Sequence, residues 1–198
     1  GGGCNAMGFF NPFLDDESIR LIGVEPGGEG INKPFKHATR LQQQLRVGIV
    51  EGYKSYFNQS QEGQLNSTHS ISAGLDYAGI GPQHAYLFSK KRVEYAYATD
   101  EMVKEALNEL AQQEGIIGAL ESLHAVAYAK VLAKTLGIPK TSKKPVVLIN
   151  LTGRGDKDLF ILAKELGGQD WLRFLEAELE RVKAFHQEKG NLTLKVKK

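Results

Sequence analysis

Gly1-Gly2-Gly3-Cys4-Asn5-Ala6-Met7-Gly8, running into Phe9, Phe10, Phe13 and Leu14, is the stretch on which the fold reading turns. Three consecutive glycines carry no Cβ to hold a bulky anion away from the backbone. The apolar residues behind them predict the start of a helix. A glycine loop feeding a helix N-terminus leaves backbone N–H groups free, and the helix dipole favours negative charge there. In physical terms this is a phosphate cradle. Its spacing is neither that of a dinucleotide fold nor that of a Walker loop. A flexible glycine-rich terminus has the same composition, and the loop alone does not decide between the two.

The residues that follow supply the context. Ile19 to Val24 (Ile-Arg-Leu-Ile-Gly-Val) predicts a buried strand bounded by Glu25, Pro26, Gly27 and Gly28. Loop, helix and buried strand make one βα unit of a parallel sheet. A phosphate loop ordinarily leaves a preceding strand. None precedes Gly1, so the chain is expected to be processed or to be a piece of a longer one. Residues 27 to 70 read as loop and short strands around a basic, glutamine-rich stretch with Lys36, His37, Arg40 and Gln42 to Gln44. Ser70 to His84, rich in small residues yet carrying Asp76 and His84, suits a loop packed against a ligand or another backbone. A plain surface loop fits that composition equally well.

Further on, Arg92 to Ala98 alternates like a half-buried strand. Thr99 or Asp100 caps the next helix, whose buried face is Val103, Ala106, Leu107 and Leu110 and whose stop is Gly115. Ile116 to Ala119 delivers Glu121 to the start of another helix, where a carboxylate complements the dipole whatever else it does. Pro145 to Leu151 predicts the clearest buried strand of the chain, and it runs into Thr152, Gly153, Arg154, Gly155 and Asp156. Ligands of open α/β sheets sit beyond the C-terminal ends of strands, which makes Thr152 and Gly153 candidates. Capping of the helix Leu159 to Leu166 by Asp156 or Asp158 is compatible with that role. Trp171 to Lys189 is an amphipathic helix with Leu172, Leu175, Leu179 and Val182 on one side, expected to pack on its own domain. Asn191 to Lys198 is polar, basic and expected to fray.

Composition bounds the function. The 198 residues suffice for one well-cored domain, and a net charge of +2 argues against nucleic acid or an anionic membrane as the main partner. The single cysteine excludes an internal disulfide framework and fits a reducing compartment. None of the five histidines has metal-ligand spacing, there is no nucleophile elbow, and no apolar run is long enough to cross a bilayer. The expected fold class is α/β, three-layer, with a mostly parallel sheet flanked by helices.

Four segments in order carry a resemblance: the glycine loop, Leu21-Ile-Gly-Val-Glu-Pro-Gly-Gly, Ser70-Ile-Ser-Ala-Gly-Leu-Asp-Tyr with Gly81-Pro-Gln-His, and Gly153-Arg-Gly-Asp-Lys-Asp. Glu114-Gly-Ile-Ile and Ala119-Leu-Glu-Ser fit with them. Together they resemble the C-terminal half of the tryptophan synthase β chain, a fold-type II family that uses pyridoxal phosphate. The resemblance runs from Gly1 to about Gly168, so that 1–168 would be the cofactor-binding portion and 169–198 a helical extension. It implies a β-replacement that joins L-serine and indole, through an aminoacrylate, to give L-tryptophan and water. Gly1, Gly2, Gly3, Cys4 and Asn5 would bind the cofactor phosphate, although Cys4 stands where the family usually has Ser and a thiol is the weaker donor. Glu121 matches the carboxylate near the ring's phenolic oxygen. Thr152, where Ser is usual, matches the hydroxyl at the pyridine nitrogen, with Gly153 beside it.

The resemblance also implies that Asp76 helps to close the site and that the backbone of Gly1, Tyr77 and Gly79 holds a monovalent cation, Na+ or K+. Its implied partners are a tryptophan synthase α chain and a second β chain, and its implied compartment is the cytoplasm, or a plastid. The Schiff-base lysine and the acid–base glutamate belong to the family's N-terminal half. Neither is matched here, Lys157 does not occupy the lysine's position, and the segment alone is expected to be catalytically incomplete. Two rivals stand beside this reading: another fold-type II lyase of the threonine synthase or serine dehydratase kind, and a non-catalytic fragment that binds phosphate or cofactor only.

Overall fold

The computed structural model describes residues 1–42, 45–137 and 144–188. Expectations for Gln43, Gln44, Lys189 and the tail 191–198 fall outside them. The chain forms two compact units, Gly1–Asp156 and Lys157–Lys198.

The first unit is α/β with a parallel sheet. Helix α1 (Cys4–Phe10) follows the glycine loop and tightens into a 3-10 turn at Asn11–Phe13. Strand β1 (Ile22–Pro26) pairs in parallel with β4 (Glu94–Ala98), from Ile22 opposite Glu94 to Pro26 opposite Ala98. The predicted strand therefore begins three residues late: Ile19 and Leu21 pack with Phe10, Leu87 and Val93, and only the Leu21 carbonyl joins the pairing, accepting from the Glu94 N–H at 2.9 Å. Arg92 fixes that connection. Its guanidinium donates to the carbonyls of Phe13, Leu14, Asp16 and Ile19, four acceptors that the bend leaves without strand partners. Between the two strands lies the hairpin of β2 (Val47–Val50) and β3 (Tyr53–Tyr56), whose turn residues Glu51 and Gly52 both have positive φ, as a type I′ turn requires.

Helix α2 (Pro82–Ser89) begins inside the segment read as loop. Proline is well suited to a first helical turn, but no capping side chain announces the helix, so the sequence pattern conceals it. Helix α3 (Asp100–Glu114) has the expected ends. Thr99 Oγ1 accepts from the Met102 N–H at 3.4 Å, and Gly115 closes it in the left-handed region at φ 68°. Helix α4 (Leu120–Leu136) packs on α3 and against β1 and β4, burying Leu120, Leu123 and His124 completely.

Pro145 to Leu151 corrects the sequence reading. Among the described residues this run belongs to no strand, and Val146 and Leu148 are 90% and 68% exposed. Its β-branched and leucine side chains suit a sheet interior, but a buried strand also needs a hydrogen-bonded neighbour, and none of the described strands pairs with it. The run instead borders the same cavity as β1.

In the second unit, α5 (Leu159–Leu166) packs on α6 (Gly168–Glu188), and Trp171 stacks on Phe174 with centroids 5.2 Å apart. Leu172, Leu175, Leu179 and Val182 are each about half exposed, and ion pairs Asp170–Arg173, Glu178–Arg181 and Glu180–Lys183 run along the helix. Among the described residues no helix is long and apolar enough to cross a membrane.

Two substitutions test this account by chemical denaturation. Leu123→Ala empties a fully buried site and should cost about 3 kcal/mol, whereas Thr99→Ala removes one cap and should cost about 1 kcal/mol.

Candidate functional site

Three successive carbonyls of the glycine loop are tied down, each by a different residue. The Gly1 carbonyl accepts from Arg40 Nη2 at 3.2 Å, the Gly2 carbonyl from the Gly81 N–H at 2.9 Å, and the Gly3 carbonyl from His84 Nε2 at 2.7 Å. No peptide bond is cis, and in a trans peptide the C=O and the next N–H point opposite ways. The N–H groups of Gly2, Gly3 and Cys4 therefore turn away from these donors. Nothing lies within 4 Å of where a Gly2 side chain would begin, so an anion can approach the backbone there. Gly3 has φ 86°, and a Cβ on it would run into the His84 ring.

His84 sits on α2 with its other nitrogen, Nδ1, 2.7 Å from the Tyr95 hydroxyl on β4. Donation from Nε2 to Gly3 makes Nδ1 the acceptor, so the ring is the neutral Nε2–H tautomer. Burial is the main force holding its pKa below the ordinary 6.5, and nearby Arg40 acts in the same direction, against the bond to Gly3. Phe10 and Tyr95 both meet the ring edge to face.

Glu121 enters from the first turn of α4. Its Oε1 accepts from the Gly74 N–H at 3.2 Å, while the Gly74 carbonyl accepts from the Gly1 nitrogen. Gly74 thus couples Glu121 to the loop, and a Cβ there would lie 2.5 Å from the carboxylate oxygen and push the Glu121 side chain aside. On the far side of the sequence, the Thr152 carbonyl accepts from Ser122 Oγ at 2.9 Å, and Asn150 Nδ2 donates to Asn5 Oδ1 at 2.9 Å.

These contacts gather Gly1, Gly3, Asn5, Glu121 and Thr152 around one cavity of about 720 Å³, with Arg40, His84 and Tyr95 also on its wall. Its remaining lining is largely apolar and comes mainly from α1, residues 18–21, β1, α4 and residues 145–150. Gly2, Cys4 and Gly153 are not in the lining, and Cys4 is exposed. Asp76 is exposed too and stays off the wall, although its neighbour Leu75 reaches it. Lys157 belongs to the second unit, where it pairs with Asp158 at 2.6 Å. Gly79 forms an antiparallel bridge with Phe57, and the Tyr77 carbonyl, like that of Gly1, accepts from Arg40. Among the described residues no group of three or more His, Cys, Asp or Glu side chains could hold a metal ion.

Sequence reasoning left Arg40, Gly74, Gly81, His84, Ser122 and Asn150 without roles at the site. The signals for His84 and Gly81 were present in Gly-Pro-Gln-His. Arg40 had no local signal beyond its place in a basic stretch.

The neutral His84 sets a pH dependence. Its folded pKa lies below its unfolded value near 6.5, so the unfolded chain binds more protons on acidification. The stability it contributes is complete above that value and is lost as pH falls through the folded pKa. Burial lowers His37 and His124 in the same sense. The thermal midpoint should therefore fall between about pH 7.5 and about pH 5, and His84→Gln, which keeps a donor for Gly3, should reduce that drop.

No family model matches the chain. Among curated proteins it is similar to the tryptophan synthase beta chain of Helicobacter hepaticus, with 51% identity over 183 residues, covering 92% of this chain and 42% of that protein. It is likewise similar to the tryptophan synthase beta chain of Polaromonas naphthalenivorans, with 50% identity over 171 residues, covering 86% of this chain and 38% of that one. The chain spans about two-fifths of the length of these curated relatives.

Proposed function

We propose that this chain, which belongs by sequence to the tryptophan synthase β family, supplies the cofactor-holding part of a pyridoxal-phosphate-dependent lyase. The reaction we assign is the joining of L-serine and indole to give L-tryptophan and water. The observation that carries the reading is the tied glycine loop on the same cavity as Glu121 and Thr152. A loop without side chains, with its carbonyls engaged elsewhere, fits a phosphate that must be held by backbone N–H groups.

In this reading residues 1–168 form the cofactor-binding portion and 169–198 a helical extension. Gly1, Gly2 and Gly3, with Cys4 and Asn5, bind the phosphate. Because Cys4 offers only a weak S–H donor, the backbone carries most of that binding. When bound, the cofactor supplies an electron sink for the amino-acid substrate. Thr152 offers the ring nitrogen a hydroxyl, not a carboxylate, and so does not hold a proton there as a charged partner would. That choice favours expulsion of the serine hydroxyl over deep carbanion stabilisation. Glu121, steadied by the Gly74 N–H, orients the opposite edge of the ring, and Gly153 lets the chain turn beside Thr152. Asp76 closes the site over substrate from the same segment as Gly74.

In this reading the cofactor-bearing lysine and the acid–base glutamate come from the rest of the protein, for which the greater length of the relatives leaves room. A tryptophan synthase α chain that delivers indole and a second β chain are the partners this reading implies, in the cytoplasm.

The test uses the full-length protein with pyridoxal phosphate. Thr152→Val, which keeps the shape and removes the hydroxyl, should lower tryptophan formation about 10-fold or more while cofactor content stays the same, as for loss of one hydrogen bond in a water-excluded site. Pyruvate from serine without tryptophan from serine plus indole would overturn the synthase reading in favour of a dehydratase.

A further inference from the structure

The monovalent cation that the family resemblance implies at the carbonyls of Gly1, Tyr77 and Gly79 meets a different chemistry in this chain. Two of the three acceptors are already engaged by one side chain. Arg40 Nη2 donates to the Gly1 carbonyl at 3.2 Å and Nη1 to the Tyr77 carbonyl at 3.3 Å, with Nη1 also donating to the carbonyl of Ala38. The third residue, Gly79, stands opposite Phe57 in an antiparallel bridge whose hydrogen bonds use the Ala78 carbonyl and the Ile80 N–H, not the Gly79 carbonyl.

Arg40 is a built part of the interior. Its side chain is 4% exposed, and that of its counter-ion Glu25, on β1, is 3% exposed. Glu25 is itself fully used: its two oxygens accept from the backbone N–H groups of Arg40 and Leu41, each at 2.9 Å. Arg40 Nε stands 3.2 Å from Glu25 Oε1 but is not aligned as a hydrogen bond, so the outer nitrogens of the guanidinium are spent on backbone carbonyls. A single positive charge, a ring of carbonyl oxygens and one carboxylate behind it are what a site for a hard monovalent cation provides. Here the charge is covalently attached. A metal ion added at the same oxygens would sit a few ångströms from a guanidinium that cannot deprotonate, in an interior that screens the repulsion poorly.

We infer that Arg40 is a built-in cation that replaces the monovalent ion at the Gly1 and Tyr77 carbonyls, so that this protein needs no bound Na+ or K+. The guanidinium then does what the ion would do: it holds the glycine loop to the Asp76–Gly79 segment, by a tether that does not exchange with solvent. The inference rests on the reading of the loop as a cofactor cradle, but one of its readouts does not.

The experiment compares the full-length protein in sodium, potassium, caesium and tetramethylammonium chloride at equal ionic strength. It reads the thermal midpoint, the visible absorbance of bound cofactor and the rate of tryptophan formation. The wild type should show the same midpoint in all four salts and rates within about 2-fold, as expected when no ion binds the folded state preferentially. Arg40→Met, and Arg40→Met combined with Glu25→Gln to avoid a stranded carboxylate, should acquire an ion requirement: a midpoint and a rate that rise with Na+ or K+ and not with tetramethylammonium. A wild-type rate or midpoint that climbs with Na+ or K+ would overturn the inference. So would variants destabilised equally in all four salts, the behaviour of an ordinary structural ion pair. Should both variants fail to fold, the wild-type comparison decides alone. If no tryptophan forms, the midpoints still test Arg40, while the missing product counts against the cradle's assigned function and not against the tether.

Discussion

The site depends on the capture of three consecutive glycine carbonyls. A Gly-Gly-Gly segment has more conformational freedom to lose on ordering than any other tripeptide, so nothing intrinsic to it selects one shape. The shape comes from its partners, and they are distant in sequence: Arg40 is 39 residues from Gly1 and His84 is 81 residues from Gly3. Each donor fixes one peptide plane, and each plane fixes the direction of one N–H. The direction in which the loop's N–H groups point is therefore a tertiary property, whatever its composition suggests.

The donors are rigid in turn because the parallel sheet and its helices hold them. Glu25 on β1 fixes the backbone of Arg40 and Leu41, and the Tyr95 hydroxyl on β4 holds the Nδ1 edge of His84. Gly23, in β1 opposite Tyr95, makes room for that ring: a Cβ there would lie 2.8 Å from it. Glu121, from α4, reaches the loop through Gly74. A change at Gly23 would thus be felt at Gly3 through Tyr95 and His84, although Gly23 touches no part of the loop.

Elements whose signals are local were legible in the sequence. Helix α3 declares its own cap, buried face and left-handed stop, and the structure has all three. The loop-to-helix start and the parallel strand after it were legible for a similar reason, since each rests on a contiguous motif, and the family was legible because four such motifs occur in order. Pro145 to Leu151 was misread because apolar content reports suitability for burial and says nothing of whether a neighbouring strand is there to pair with. Helix α2 was missed because a Gly-Pro start lacks a capping side chain. Arg40 was passed over for a deeper reason. A basic residue in a basic stretch reads as surface, and only the arrival of Gly1, Tyr77 and Glu25 around it makes burial of its charge tolerable.

That burial has an electrostatic consequence for the loop. The guanidinium contacts the Gly1 carbonyl, whose peptide partner is the Gly2 N–H on the opposite side. Hydrogen bonds through a shared peptide polarise one another, and a charged donor does so more than a neutral one. Arg40 therefore strengthens the Gly2 N–H as a donor without touching whatever that N–H binds. His84 acts on the Cys4 N–H through Gly3 in the same way, but as a neutral group whose effect changes when it is protonated. In the proposed phosphate cradle, where Cys4 offers only a weak S–H donor, the backbone donors gain most from a positive charge that is permanent, buried and behind them.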